Sequence, residues 1–368
     1  MIPFLSFIKM NADIKAEILP NIEQFIDKGW YVLGEQVKQF ESEYAEYCAT
    51  KYCSGVANGL DAIIIALKAL NIGEGDEVIV PSNTYIATWL AVSYVGATPV
   101  PVEPRIQTYN INPELIEQAI TPKTKAIIPV HLYGQCCEME AIMQIAQQHN
   151  LYVVEDNAQA QGASYGGKIT GSFGHINATS FYPGKNLGAF GDAGAITTND
   201  ESLWQKANTI RNYGSNKKYY NELKGMNSRL DELQAGLLSI KLKHLNKWNQ
   251  ERQQIARLYS KALNGVGDLI LPDLANDASS VYHLFVIRTN QRDALQQYLT
   301  ENNIGTLIHY PLPPHLQQAY QDMRFKKGDF PIAEQIAKTC LSLPIYPGLQ
   351  KQEIDYIADR INMFFAHA

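Results

Sequence analysis

Val153-Val-Glu-Asp-Asn-Ala-Gln-Ala-Gln-Gly162 and Ser180-Phe-Tyr-Pro-Gly-Lys-Asn-Leu-Gly-Ala-Phe-Gly-Asp-Ala-Gly194 are the stretches that decide how this chain folds and what chemistry it carries. In the first, the apolar run Leu151-Tyr-Val-Val154 reads as a buried strand. Asp156 falls just past its carboxyl end, the edge at which open α/β sheets bind ligands. In the second, the run Ala178-Thr-Ser-Phe-Tyr182 leads into Pro183, Gly184 and Gly188, so Lys185 sits on a tight loop leaving another buried strand. A lysine desolvated there has a lowered pKa and becomes a usable nucleophile. A lysine that forms a Schiff base and a carboxylate that keeps a pyridine nitrogen protonated are the two protein groups pyridoxal phosphate (PLP) chemistry needs most. Together Lys185 and Asp156 suggest a PLP enzyme.

Upstream of Asp156, strand-like runs alternate with helical patterns. A helix is expected over 62–70, a strand over 77–80, a helix over 86–95 and strands over 98–102 and 126–130. A helix over 139–149 follows, with Met139, Ile142, Met143 and Ile145 at helical spacing. Such alternation implies a largely parallel sheet with helices on both faces. Gly166-Gly167 and Gly171 mark turns, and 195–198 reads as a further short strand. From 228 to about 263 there is no proline, and Leu230, Leu233, Leu237, Ile240 and Leu245 recur at helical spacing, giving one or two long helices that connect two lobes. Beyond them, 269–272, 282–287 and 305–308 look like strands of a smaller lobe that closes with a helix over 351–365. The expected architecture is therefore α/β. Residues 1–250 form a large sheet domain with the N-terminal segment and connecting helix, and 251–368 form a smaller C-terminal α/β domain.

With 368 residues, 46% hydrophobic and 18% charged, the chain has enough apolar material for a large core. Its net charge of −6 argues against a nucleic-acid or anionic-membrane surface, so any phosphate binding must be local. The five cysteines, Cys48, Cys53, Cys136, Cys137 and Cys340, form no C-x-x-C pair, which fits a reduced, cytoplasmic setting. The segment Met1-Ile-Pro-Phe-Leu-Ser-Phe-Ile8 lacks a basic n-region and a cleavage site, and no apolar run approaches bilayer length, so neither secretion nor membrane insertion is indicated.

Asn58-Gly-Leu-Asp-Ala62 precedes an apolar helical stretch, so Gly59 and Leu60 can present free backbone N–H groups to a phosphate; the plainer reading makes Asn58 or Asp61 an ordinary cap. Tyr85, just after the strand at 77–80, can stack on a planar ring or simply lie half-buried. Gly162-Ala-Ser-Tyr-Gly-Gly-Lys168 has P-loop spacing, but Ile169 stands where that motif needs Ser or Thr, and Gly166-Gly167 reads as a hairpin turn. His131 and His309 both sit at expected strand ends, and neither has enough well-spaced companions for a zinc site.

These segments together resemble the nucleotide-sugar aminotransferases of the DegT/StrS family, within the fold-type-I PLP enzymes. The resemblance spans nearly the whole chain and is carried in order by Gly29-Trp-Tyr-Val-Leu-Gly34, Asn58-Gly-Leu-Asp-Ala62, Pro81-Ser-Asn-Thr-Tyr85 and Pro129-Val-His-Leu-Tyr-Gly134. Glu155-Asp-Asn-Ala-Gln-Ala160, Tyr182-Pro-Gly-Lys-Asn-Leu-Gly188, Asn227-Ser-Arg-Leu-Asp-Glu-Leu-Gln234 and His309-Tyr-Pro311 continue it. It implies that Lys185 forms the Schiff base and later moves the substrate proton, that Asp156 pairs with the pyridine nitrogen, and that Gln159 bonds the ring hydroxyl oxygen. Tyr85 would cover one ring face, and Gly59, Leu60 and Ser180 would hold the phosphate. Asn227 would reach that phosphate from a second copy of the chain, making a homodimer the functional unit. Tyr182, Lys218, His309 and Tyr310 are implied contacts to sugar and phosphate. Asn157 and Gln161 depart from the family pattern, which has a small residue and often histidine there. Family members that act as dehydratases carry histidine at the lysine position, so Lys185 argues against that activity.

The resemblance implies transfer of an amino group from L-glutamate to a keto-sugar of a nucleoside diphosphate. The wording of Gly29 to Gly34, Asn58 to Ala62 and Gly184 to Ala189 looks most like enzymes that aminate C-3 of a dTDP-3-keto-6-deoxyhexose. Amination at C-4 is the alternative. A PLP-binding regulator without turnover is the alternative from another class, and intact Lys185, Asp156 and Gln159 argue against it.

Overall fold

The period-two alternation of the strands sorts their side chains onto two faces of one sheet. Val78, Val80, Ala126, Ile128 and Val154 enter one buried cluster, whereas Ile79, Ile127 and Val153, their neighbours in sequence, enter another. The computed structural model describes residues 1–366. Its strands are β1 (Tyr52–Val56), β2 (Glu77–Pro81), β3 (Thr98–Val102), β4 (Thr124–Ile127), β5 (Tyr152–Asp156), β6 (Ser164–Tyr165), β7 (Lys168–Ile169), β8 (Ile176–Ser180), β9 (Gly194–Thr198), β10 (Phe285–Arg288) and β11 (Cys340–Leu343). The helices are α1 (Ile8–Lys28), α2 (Glu35–Tyr47), α3 (Gly59–Ala69), α4 (Ala87–Tyr94), α5 (Met139–Gln148), α6 (Glu201–Arg211), α7 (Glu232–Leu263), α8 (Arg292–Glu301), α9 (Pro331–Thr339) and α10 (Lys351–Ala366).

Seven strands form the main sheet in the order β1-β9-β8-β5-β4-β2-β3. All neighbours from β8 to β3 pair in parallel, while β9 runs antiparallel to both β1 and β8. Helices α3, α4 and α6 cover one face through Ile65, Trp89, Ala207 and Ile210. On the other face α5 packs Met139, Ile142 and Ala146, and α2 and α7 pack Phe40, Tyr44, Ala235 and Leu238 over the β1–β9 edge. Each such fully buried aliphatic side chain contributes roughly 1.5–3 kcal/mol of transfer free energy. The architecture is the expected α/β one: a large, mostly parallel sheet between helices and a smaller C-terminal α/β region.

That smaller region is built on the antiparallel pair β10–β11, with α8, α10 and the distal part of α7 around it. Helix α7 crosses residue 250 without a break; Leu237, Ile240 and Trp248 pack against α1, whereas Ile255, Tyr259 and Leu263 enter the core of the smaller region. Ile2 and Leu5 pack against that same core, and Ile2 bridges Ile304.

Two expected strands shrink to single bridges: Ile270 pairs with Arg288 across 269–272, and Leu307 pairs with Ser342 across 305–308. The strand expected over 126–130 stops at Ile127, because Pro129 has no N–H to continue the ladder. Asp156 is the last residue of β5 rather than a residue beyond it. The sequence reading assigns no element before residue 50, where α1 and α2 lie. The turn at Gly166-Gly167 is the expected hairpin, with φ of 55° and 80° joining β6 to β7.

Candidate active site

The carboxyl end of β5 and the loop after β8 bring the acid and the lysine to one edge of the sheet. Asp156 is 6% exposed, and its carboxylate accepts from the Thr88 hydroxyl at 2.9 Å and the Ala158 amide at 3.2 Å. Among the described residues no basic side chain forms an ion pair with it. Burial raises its pKa, opposed by the Ala158 and Thr88 hydrogen bonds and by the charges of Lys185 and His131. A buried carboxylate without a cation is costly, so this one is set up to receive a cationic N–H.

Lys185 begins where β8 turns away from the sheet, and its amide donates to the Tyr182 carbonyl at 2.8 Å. Its ammonium has no hydrogen-bond partner among the described residues. Burial pulls its pKa down to about 8, with Asp156 pulling the other way. The loop is fastened just beyond the lysine: Asn186 Nδ2 donates to Asn249 Oδ1 at 2.8 Å and to the Val281 carbonyl at 3.0 Å, and Lys241 donates to the Gly188 carbonyl at 2.6 Å.

Asn58 caps α3, its side chain accepting from the Asp61 amide at 2.8 Å. The cap leaves the amides of Gly59 and Leu60 without an acceptor among the described residues. Gly59 lies against Ser180: a Cβ built on it would stand 2.5 Å from the Ser180 Cβ. Two free amides, a serine hydroxyl and the positive end of a helix therefore share one small space, which suits a phosphate.

Gln159, 4% exposed, accepts at Oε1 from the Tyr133 amide at 2.7 Å, which turns its Nε2 toward Tyr310 Oη at 3.1 Å. The ring of Tyr310 lies 5.2 Å from that of Tyr85, which is 52% exposed and free to cover a planar ligand. His309 bonds Ser342 Oγ through Nδ1 at 2.8 Å, and burial together with Lys185 lowers its pKa to about 4. Its carbonyl accepts from the Tyr133 hydroxyl. Tyr182 is exposed on the lysine loop, next to Ser180, whose hydroxyl accepts from the Tyr182 amide at 3.3 Å.

Two of the expected residues form no hydrogen bond with these side chains among the described residues. Lys218 lies on an exposed turn with its amine over the Tyr219 ring, and hydrogen bonds to none of the others. Asn227 is exposed and bridges Asn212 through its backbone. Its neighbour Ser228 accepts from the Ala57 amide at 3.1 Å, which places the segment beside the Gly59 cradle of the same chain. Of the residues departing from the family pattern, Asn157 Nδ2 donates to Thr179 Oγ1 at 3.4 Å and Gln161 Nε2 donates to the Ser180 carbonyl at 2.8 Å.

Sequence reasoning misses Thr88, Tyr133 and His283. Thr88 lies one turn of chain after Tyr85, a spacing that could have flagged it. Tyr133 and His283 act through long-range hydrogen bonds; Tyr133 lies within the quoted stretch Pro129 to Gly134 but its partners are distant, and nothing in the local sequence marks His283.

The residues present fit PLP: a cradle with no room for a Cβ and with free amides for the phosphate, an orphaned buried acid for the ring nitrogen, and a lysine of lowered pKa. A lysine and an acid so placed on a fold-type-I sheet define a PLP-dependent enzyme. The chain belongs to the DegT/DnrJ/EryC1/StrS aminotransferase family, whose profile matches residues 12–362. It is 53% identical over 99% of both chains to a dTDP-3-amino-3,6-dideoxy-alpha-D-galactopyranose transaminase of Aneurinibacillus thermoaerophilus. Its fold matches the crystal structure of S. venezuelae DesV in complex with a ketimine intermediate, with a TM-score of 0.97 and 47% identity, over 99% of this chain and 98% of that one. It also matches NtdA of Bacillus subtilis with bound cofactor PMP, with a TM-score of 0.92 and 33% identity, over 99% of this chain and 85% of that one.

Proposed function

We propose that this aminotransferase moves the amino group of L-glutamate to C-3 of a dTDP-3-keto-6-deoxyhexose, in the cytoplasm and as a homodimer. Supporting the general reading is the orphaned, buried Asp156 set on the same edge as Lys185. The C-3 position draws its support from the 53% identical relative, which is named for a sugar that carries its amine there. Bound PLP supplies an electron sink for the carbanion formed when a substrate carbon loses its proton.

The chain's own residues do the rest. Asp156 holds a proton at the ring nitrogen, kept in place by Thr88 and the Ala158 amide. Gln159 Nε2, oriented by the Tyr133 amide, donates to the ring hydroxyl oxygen. Gly59, Leu60 and Ser180 hold the phosphate, and Tyr85 covers one face of the ring. Lys185, whose burial lowers its pKa to about 8 and so frees a fraction of its amine at physiological pH, takes the proton from one carbon and returns it to another. Tyr182, His309, Tyr310 and Lys218 contact the sugar and its diphosphate.

Both ketones react with an amine by the same steps, so position decides between them, and a misplacement on the order of 1 Å costs about a hundredfold in rate. The dTDP-3-keto-6-deoxyhexose should be aminated with at least about tenfold higher kcat/KM than dTDP-4-keto-6-deoxyglucose, ~1.4 kcal/mol of differential transition-state binding. Assaying both sugars with glutamate and locating the new amine by NMR tests this; preferential amination at C-4 overturns it.

Asn227 is proposed to complete the phosphate site of the other subunit. Asn227→Ala should then weaken PLP binding, and mixed dimers of Lys185→Ala and Asn227→Ala subunits should regain one intact site. Mixed dimers as weak in PLP binding as the Asn227→Ala homodimer, or a fully active monomer by light scattering, would remove the cross-subunit role.

A further inference from the structure

Lys185 has no hydrogen bond of its own to place its amine, so the position of that amine depends on what holds the loop. A chain of side-chain amides does so and can be read donor by donor. Asn249 Nδ2 donates to the Gln161 carbonyl at 2.9 Å, which leaves Asn249 Oδ1 to accept from Asn186 Nδ2 at 2.8 Å. The second hydrogen of Asn186 Nδ2 goes to the Val281 carbonyl at 3.0 Å. Asn186 Oδ1 can therefore only accept, and the atom facing it at 3.2 Å is His283 Nδ1. The imidazole must carry a hydrogen on Nδ1.

We propose that His283 is a positioning residue for Lys185: by donating from Nδ1 to Asn186, it fixes the loop on which the lysine stands. The proposal rests on the reading of Lys185 as the cofactor lysine. His283 itself is held by rigid structure. Gly134, at φ 105°, packs so close that a Cβ there would stand 2.6 Å from the His283 backbone nitrogen. On either side of the histidine, the Val281 amide donates to the Gly134 carbonyl at 2.9 Å and the Leu284 amide to the Tyr133 carbonyl at 3.2 Å. Arg252 of α7 binds the carbonyls of Tyr282 and His283. The backbone at His283 is thus preset by the turn at Tyr133 and Gly134, by α7 and by the approach to β10, and the lysine loop is the part that the ring positions.

Three titratable groups face the ring: Lys185 from the loop after β8 and Arg252 from α7, both charged, and the His309 imidazole from the segment before Pro311. Burial, and then these charges, keep its pKa well below the usual imidazole range. A neutral ring adds no positive charge beside Lys185, so burial alone, opposed by Asp156, brings the lysine's pKa to about 8.

His283→Asn and His283→Leu test the proposal. The asparagine amide keeps a donor near the Nδ1 position, whereas leucine keeps bulk without the donor. In cofactor-free protein, acetylation of Lys185 by acetic anhydride as a function of pH, read by peptide mass spectrometry, reports the lysine's titration. Leucine should loosen the loop, hydrate the amine and raise its midpoint by about a unit, whereas asparagine should hold it near the wild-type value. Capture of added PLP, followed by growth of the visible absorbance band, should slow about tenfold with leucine and within about twofold with asparagine. A leucine variant with wild-type titration and capture, or an asparagine variant that behaves like leucine, overturns the proposal. A loss of Tm common to both variants with an unmoved Lys185 titration does so too, since it leaves His283 a purely structural role. If the wild type captures no PLP, the cofactor reading fails, while the acetylation profiles still decide whether His283 positions the lysine.

Discussion

Lys185→Ala should lose at least about a thousandfold in turnover, since the residue is both the attachment point for the cofactor and the acid and base that moves the substrate proton. The protein should nevertheless fold. The lysine amine makes no hydrogen bond among the described residues, and the turn that carries it is closed by its backbone, through the Lys185 amide and the Tyr182 carbonyl. Asn186 and the Gly188 carbonyl keep their partners on α7 when the side chain is cut back. Pyridoxamine phosphate, which needs no lysine attachment, should still bind through the Gly59 cradle, Asp156 and Gln159. Purified wild type should be yellow and the variant colourless. Turnover near the wild-type level in Lys185→Ala would sink the assignment of the lysine.

The same side chain gives a pH dependence with a definite sign. Burial disfavours the ammonium form and lowers the pKa to about 8, so the nucleophilic free amine increases as pH rises through that value. Capture of PLP by cofactor-free protein should therefore accelerate from pH 7 to 9 and level off above. An exposed lysine would keep accelerating past pH 10. Stopped-flow absorbance over this range distinguishes the two profiles.

Much of the site could be read from local sequence because its parts sit at the ends of regular elements. Asp156 closes a strand whose apolar run is plain in Val153-Val154, and Lys185 stands among Pro183, Gly184 and Gly188, residues that force a turn. Helix α2 goes unread although Val37, Phe40 and Tyr44 recur at helical spacing and are buried, because the charged residues between them mask the pattern. What could not be read is set by distant partners. The reversed direction of β9 between β1 and β8 depends on which strands it meets, and the five-residue run itself is direction-blind. Strand β11 exists because Leu341 and Leu343 face the core beneath β10, and four residues are too few for periodicity to declare themselves. Tyr133 adopts φ 59°, a left-handed backbone unusual for tyrosine, so that its amide can reach Gln159 and its hydroxyl the His309 carbonyl. Its role is a product of tertiary structure.

Asp156→Asn should slow proton abstraction from glutamate on the order of a hundredfold, the scale of losing one preorganised electrostatic partner at a reacting centre. The carboxylate is the group that makes a protonated ring nitrogen favourable, and an amide in its place offers no charge to balance that proton. The surrounding hydrogen bonds can absorb the change. An asparagine Oδ1 can still accept from the Ala158 amide, and its Nδ2 can donate to Thr88, whose hydroxyl then turns to Thr84 Oγ1 at 3.0 Å. Stability should therefore change little, and removing a buried, uncompensated negative charge even offsets part of any loss. Cofactor retention should fall less than chemistry does, because the phosphate cradle and Gln159 are untouched. Single-turnover spectra with glutamate separate the two effects: a slow chemical phase with near-normal PLP occupancy is the expected result. An unchanged single-turnover rate would show that Asp156 is not the partner of the ring nitrogen.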